Sequence, residues 1–163
     1  MSNLSAEKYY KEGLIAFKAR SYKQAAPLFR QALDLDRDRG RKRPEMRYLS
    51  YYGLSLARAG LSQKQAIEAC RTAVKQQGND PLLYLNLARV YVLNCKLAEA
   101  MEMYERGLRL SPDDPTLRRE LKNLDRRTRA VIPFLSRSNP LNVWLGKLRS
   151  RMFGGLSART ARG

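Results

Sequence analysis

The sequence predicts an all-α fold of stacked antiparallel helix pairs, and three observations carry that prediction. One pattern of small and large residues is written three times. Gly13, Ala25, Phe29 and Ala32 are separated by 12, 4 and 3 positions, and Ala88, Ala100, Tyr104 and Gly107 repeat those separations. Gly53, Ala66, Cys70 and Ala73 form a middle copy with separations of 13, 4 and 3. Small residues at these intervals let two helices cross closely, and the larger one fills the seam where the next pair stacks. The second observation is that apolar residues between these markers recur on a helical period. The third is that Gly40 and Pro44, and then Gly78-Asn79-Asp80-Pro81, punctuate the boundaries between the copies.

The first unit covers about residues 6–39. Its leading helix carries Tyr9, Gly13, Ala16 and Phe17 on one face, and a turn at Arg20–Ser21 precedes a second helix with Ala25, Leu28, Phe29, Ala32, Leu33 and Leu35. Pro27 is placed in that helix's first turns, where a missing N–H costs little. The run from Asp38 to Arg43 then adds about six residues, since Gly13 to Gly53 spans 40 positions whereas Ala66 to Ala100 spans 34. It reads as a solvated basic loop, or as a basic finger for an anionic partner.

The second unit, 45–80, has Leu49, Tyr52, Gly53, Leu56 and Ala57 in its leading helix; Gly60 closes that helix and Ser62 caps the next. Gly78-Asn79-Asp80-Pro81 separates it from the third unit, 81–114. There Tyr84, Leu87, Ala88 and Tyr91 fill the leading-helix slots, and Ala100, Tyr104, Gly107, Leu108 and Pro112 the following ones. Residues 115–130 predict one more helix, with Leu117, Leu121 and Leu124 in a stripe that covers the last pair. Asp113-Asp114 precede it as capping residues rather than as a catalytic carboxylate pair.

These units resemble the tetratricopeptide repeat family over about two thirds of the chain. Departures from the family pattern are Arg37 in place of the first unit's closing proline, Glu12 and Ala16 in slots usually apolar or aromatic, and the insertions around Gly40 and Gly60. The resemblance implies a right-handed superhelix of antiparallel helix pairs over residues 1–130, followed by a basic extension, 131–163. It also implies a concave groove lined by the leading helices. By register the groove residues are Tyr10, Leu14 and Phe17 in the first unit, Arg47, Ser50, Leu54 and Arg58 in the second, and Leu85, Asn86, Arg89 and Val92 in the third. Arg47, Arg58 and Arg89, on adjacent helices, suit bidentate capture of a peptide carboxylate. The family's clamp for chaperone tails uses lysine and asparagine where Tyr10 and Leu14 stand, so that clamp is not expected here.

Charge is the second strong signal. Lysine and arginine number 32 against 15 acids, a net charge of +17. From Arg118 onward 12 basic residues face only Glu120 and Asp125, a net of +10. Such a field attracts phosphate backbones, anionic headgroups or acidic protein segments without choosing among them. Arg118, Arg119, Lys122, Arg126, Arg127 and Arg129 make the outer face of the last predicted helix basic. Beyond it, Leu141, Trp144, Leu145, Leu148 and Met152 form an apolar stripe flanked by Lys147, Arg149 and Arg151. That segment suits three roles: packing on the array itself, lying on an anionic membrane, or docking in another protein's groove.

The chemistry of an enzyme is not written in the chain. Histidine is absent, so Ser–His or Cys–His catalysis has no base. No Walker-type, G-x-G-x-x-G, H-E-x-x-H or G-x-S-x-G motif occurs. Cys70 and Cys95 without histidine leave no expected metal site and no cofactor; both read as small buried fillers. A mean hydropathy of −0.55, and no run of about 20 apolar residues, oppose a membrane-spanning chain. The polar N-terminus shows no leader, so the expected location is cytoplasmic. The resulting expectation is a non-catalytic adaptor holding an acidic, extended or helical partner segment. Nucleic-acid or ribosome association and a peripheral membrane scaffold are the alternatives, and residues 131–152 could exchange between subunits of a homo-oligomer.

Overall fold

In the computed structural model the described residues are 5–38 and 45–128. They form seven helices: α1 (Ala6–Lys18), α2 (Tyr22–Asp38), α3 (Met46–Arg58), α4 (Gln63–Gln76), α5 (Pro81–Leu93), α6 (Leu97–Leu110) and α7 (Pro115–Thr128). The chain divides into one unit ending at Leu124 and a second beginning at Asp125, of which only the end of α7 is described. The first unit is a right-handed superhelix of three antiparallel pairs, α1/α2, α3/α4 and α5/α6, with α7 packed on the last. Residues 39–44, which include most of the basic loop, and 129–163 lie outside the described residues.

The repeated positions are the core. Ala25, Phe29, Ala32, Ala66, Cys70, Ala73, Ala88 and Ala100 have no exposed surface, and Tyr104 has 2%. The glycine of each of the first two crossings is forced by what faces it. A Cβ on Gly13 would lie 2.7 Å from the Phe29 ring, and one on Gly53 would lie 2.7 Å from Cys70 Sγ and 2.8 Å from the Ala66 carbonyl oxygen. Leu117 of α7 reaches Gly107 in the same way, at 3.1 Å from such a Cβ, and is itself fully buried with Leu124 nearby in exposure at 3%.

Helix starts follow from the residues before them. Ser5, Glu45, Ser62 and Asp80 each accept a backbone N–H of the first turn, and Asp114 Oδ1 accepts from the Thr116 and Leu117 amides at 2.8 and 2.9 Å. Each satisfies a donor that the helix cannot. Pro27 is the sixth residue of α2, in its second turn as expected but past the opening amides that lack a partner, so it removes a rung of the hydrogen-bond ladder that would otherwise be made.

Helix ends share a device that the sequence shows only once. At the same register in each pair one residue turns left-handed: Arg20 (φ 61°), Gly60 (φ 67°) and Cys95 (φ 57°). The next amide then reaches back to the leading helix, Ser21 to Ala16 O, Leu61 to Leu56 O and Lys96 to Tyr91 O, at 2.9–3.1 Å. This closure satisfies carbonyls at the helix end. Cys95 is consequently exposed, not a buried filler, whereas Cys70 is fully buried and donates its S–H to the Ser50 carbonyl at 3.3 Å. Burial pushes the Cys70 thiol up to about 12.

Two outcomes test this packing. Gly53→Ala should lower unfolding free energy by about 1–3 kcal/mol through overpacking, while Cys95→Gly should raise it by about 0.5–1 kcal/mol by relieving the left-handed turn; urea denaturation reads both. A thiol reagent at pH 8 should modify Cys95 in the native protein and Cys70 only after unfolding, and equal reactivity would contradict the burial of Cys70.

Candidate functional site

The leading helices α1, α3 and α5 lie side by side, and their facing residues build the candidate site. Aromatic rings join the first two: Tyr10 sits 4.9 Å from the Tyr48 ring and 5.9 Å from the Tyr51 ring, and Phe17 sits 5.6 Å from Tyr51. Tyr51 also stacks on Phe29 at 5.2 Å. Tyr10, Leu14, Phe17 and Val92 are half-buried, so one side of each remains available for contact. Burial, then the neighbouring Tyr51, raises the Tyr10 hydroxyl well above its ordinary value, keeping it a neutral hydrogen-bonding group.

Ser50, Leu54, Leu85 and Asn86 are buried. Asn86 Nδ2 donates to Ser50 Oγ at 3.1 Å, and Asn86 Oδ1 has no partner. The structure therefore places these four in the packing between leading helices rather than on accessible surface.

The three arginines differ from the expected set of free cations. Arg47 Nε donates to Asp80 Oδ2 at 2.6 Å, and Asp80 also caps α5 through the Leu82 amide at 3.0 Å. Arg89 is held by Glu120 of α7 through both Nε and Nη2, the latter at 2.6 Å from Oε1. Tyr104 of α6 donates its hydroxyl to Glu120 Oε2 at 2.8 Å, closing a network across three helices. Burial opposes the Glu120 carboxylate, yet the hydrogen bonds and charge of Arg89 outweigh it, and the group stays below the usual carboxylate range. Burial, then Glu120, raises Tyr104 above its ordinary value. Arg58 is exposed and makes no ion pair with a described residue.

The sequence reading missed Asp80 and Glu120 as partners. Each lies 33 or 31 residues after its arginine, close to one repeat length, and that recurrence was the available signal. On α7, Arg118 pairs with Asp113, while Arg119, Lys122 and Arg126 are exposed. Arg127 stands in the last turn of α7; Arg129, Trp144, Lys147, Arg149 and Arg151 lie outside the described residues. Among the described residues no group of acids and cysteines could hold a metal ion, and no helix is long and apolar enough to cross a membrane.

Three stacked helix pairs closed by a single helix, with side chains of one helix from each pair aligned, define a helical-repeat scaffold. The chain belongs to the tetratricopeptide repeat family: two models of that repeat match residues 10–81 and 64–123. Among solved structures it is similar to the first such domain of human RPAP3, with 21% identity and a TM-score of 0.64 over 77% of this chain and 93% of that one. The first such domain of Spaghetti (RPAP3), bound to the HSP90 peptide SRMEEVD, gives 21% identity and a TM-score of 0.61 over 77% and 94%. The Sgt2 domain from Aspergillus fumigatus gives 21% and 0.63 over 75% and 78%. At these identities the likeness is one of fold. No curated protein sequence matches the chain.

The Arg89–Glu120 pair yields a stability test. Glu120→Ala strands a largely buried guanidinium and should cost about 2–3 kcal/mol, less than for a fully buried pair because both side chains are 23% exposed. Adding Arg89→Met should recover more than half of that loss. Because Glu120 is lowered on folding, its contribution is complete above the unfolded value of about 4.3 and should fade as pH drops through the lower folded one. Acid titration of stability should show this component in the wild type and not in the double variant.

Proposed function

We propose that the chain is a non-catalytic adaptor that holds a segment of a partner protein along its leading-helix groove. The observation that supports this most is the set of half-buried Tyr10, Leu14, Phe17 and Val92, with exposed Arg58, on the leading helices of a scaffold whose structural neighbour carries an HSP90 peptide. Rigid aromatic and aliphatic side chains with one free side supply contact area at low entropic cost. The internal pairing of Arg47 and Arg89 alters the ligand expected. With their charges already met by Asp80 and Glu120, carboxylate capture by three convergent arginines is replaced by apolar contact along α1, with Arg58 as the cation left for an acidic flank. A cytoplasmic setting and a basic C-terminal region that strengthens attachment complete the proposal.

The test compares affinity capture by the full-length protein, by a version ending at Ala130, and by Leu14→Asp combined with Arg58→Glu. The expected outcome is a protein recovered with the first two and lost with the substituted form, whose helical circular dichroism and Tm stay near wild type. Equal recovery by a folded groove variant would refute the groove. Loss on truncation alone would move the contact to residues 131–163.

A further inference from the structure

A second site lies at the turn joining α1 to α2. An open cleft of about 410 Å³ is lined there by Arg20, Tyr22, Lys23, Gln24 and Arg58, together with Ser21 and Ala59. Its volume falls within the range of small-ligand sites. Three cations from two separate helix pairs border it, and no acidic residue does. Arg30, Arg47, Arg89, Arg106 and Arg118 each have a carboxylate partner. Arg20, Lys23 and Arg58 have none among the described residues, a trait they share with Arg37, Arg109, Arg119 and Arg126, but they alone line this cleft. An anion in the cleft would be attracted by all three cations that border it.

The backbone around the cleft is fixed. Arg20 is locked left-handed by the Ser21 amide reaching Ala16 O, and Ser21 O accepts from the Gln24 and Ala25 amides. The opening amides of the 17-residue α2 precede its hydrogen-bond ladder, and its first turn holds no acid. The Tyr22 ring, 5.1 Å from Phe17 and edge-on to it, forms a firm wall. A planar carboxylate is matched by one bidentate fork. Three cations arranged around an opening suit instead a tetrahedral dianion that accepts from several directions.

We propose that this cleft binds a phosphoryl group, a phosphate monoester dianion, carried either by a phosphorylated segment of a partner or by a small free phosphate. The site does not require a segment in the leading-helix groove; Arg58 borders both, so Lys23→Gln, which lies outside the groove, is the variant that tests the cleft separately. Isotope-labelled full-length protein is titrated at constant ionic strength with inorganic phosphate, with the capped peptide Gly-phosphoSer-Gly, and with its unphosphorylated form. Saturable NMR shifts should centre on the amides of Arg20 to Gln24 and of Ala59. Lys23→Gln and Arg58→Gln should each weaken binding about tenfold, as expected for loss of one charge-assisted hydrogen bond. Lys75→Gln removes an equal charge on α4 away from the cleft and should leave binding unchanged. Tighter binding of the phosphopeptide than of phosphate supports a phosphorylated segment as the source; equal binding supports a free phosphate. Shifts spread over the basic surface, equal weakening by Lys75→Gln, or equal binding of the unphosphorylated peptide would each overturn the proposal.

Discussion

Everything in this array depends on how closely the two helices of a pair can cross. Gly13 faces Phe29 and Gly53 faces Cys70 at separations that leave no room for a methyl group. Close crossing brings the backbones together, lets the large residue fill the seam, and sets the angle at which the next pair arrives. The leading helices are side by side only because this geometry is repeated. The aromatic contacts of Tyr10 and Phe17 with Tyr51, and the reach of Arg89 to Glu120, are consequences of that regular advance.

The fold was readable because its determinants are local and periodic. The small and large markers lie within one helix pair, and the punctuation at Gly60–Ser62 and Asp80–Pro81 acts within a few residues. Side-chain partnerships across pairs were harder to read. Arg47 and Arg89 look the same in sequence whether they face solvent or an acid one repeat later. Likewise, register names Ser50, Leu54, Leu85 and Asn86 as groove positions without saying how tightly neighbouring helices enclose them. The left-handed closures at Arg20 and Cys95 were hidden for a different reason: the usual glycine marks only the middle copy, and the other two make the same backbone closure with residues that carry a side chain.

Electrostatics divides this basic protein into two populations of cations. Arg47 and Arg89 serve the scaffold, each spending its charge on a carboxylate that also organises a neighbouring helix. Their desolvation is met by hydrogen bonding, so they contribute to order more than to attraction for ligands. Arg20, Lys23 and Arg58 border open space and have no carboxylate partner among the described residues. Net charge alone therefore overstates the cationic surface of the array while failing to show where it concentrates.

The two scaffold pairs share a direction. In each, an arginine on a leading helix is matched by an acid at or beyond the start of a later one, Arg47 with Asp80 and Arg89 with Glu120. A break placed just before Asp80, or between α6 and α7, would leave the earlier fragment with an orphaned guanidinium and the later one with an orphaned carboxylate. Gene fusion or unit duplication would meet the same constraint, since a transplanted pair brings half of each partnership. The portable module of this chain thus extends past the helix pair that the eye picks out, as far as the carboxylate that follows it.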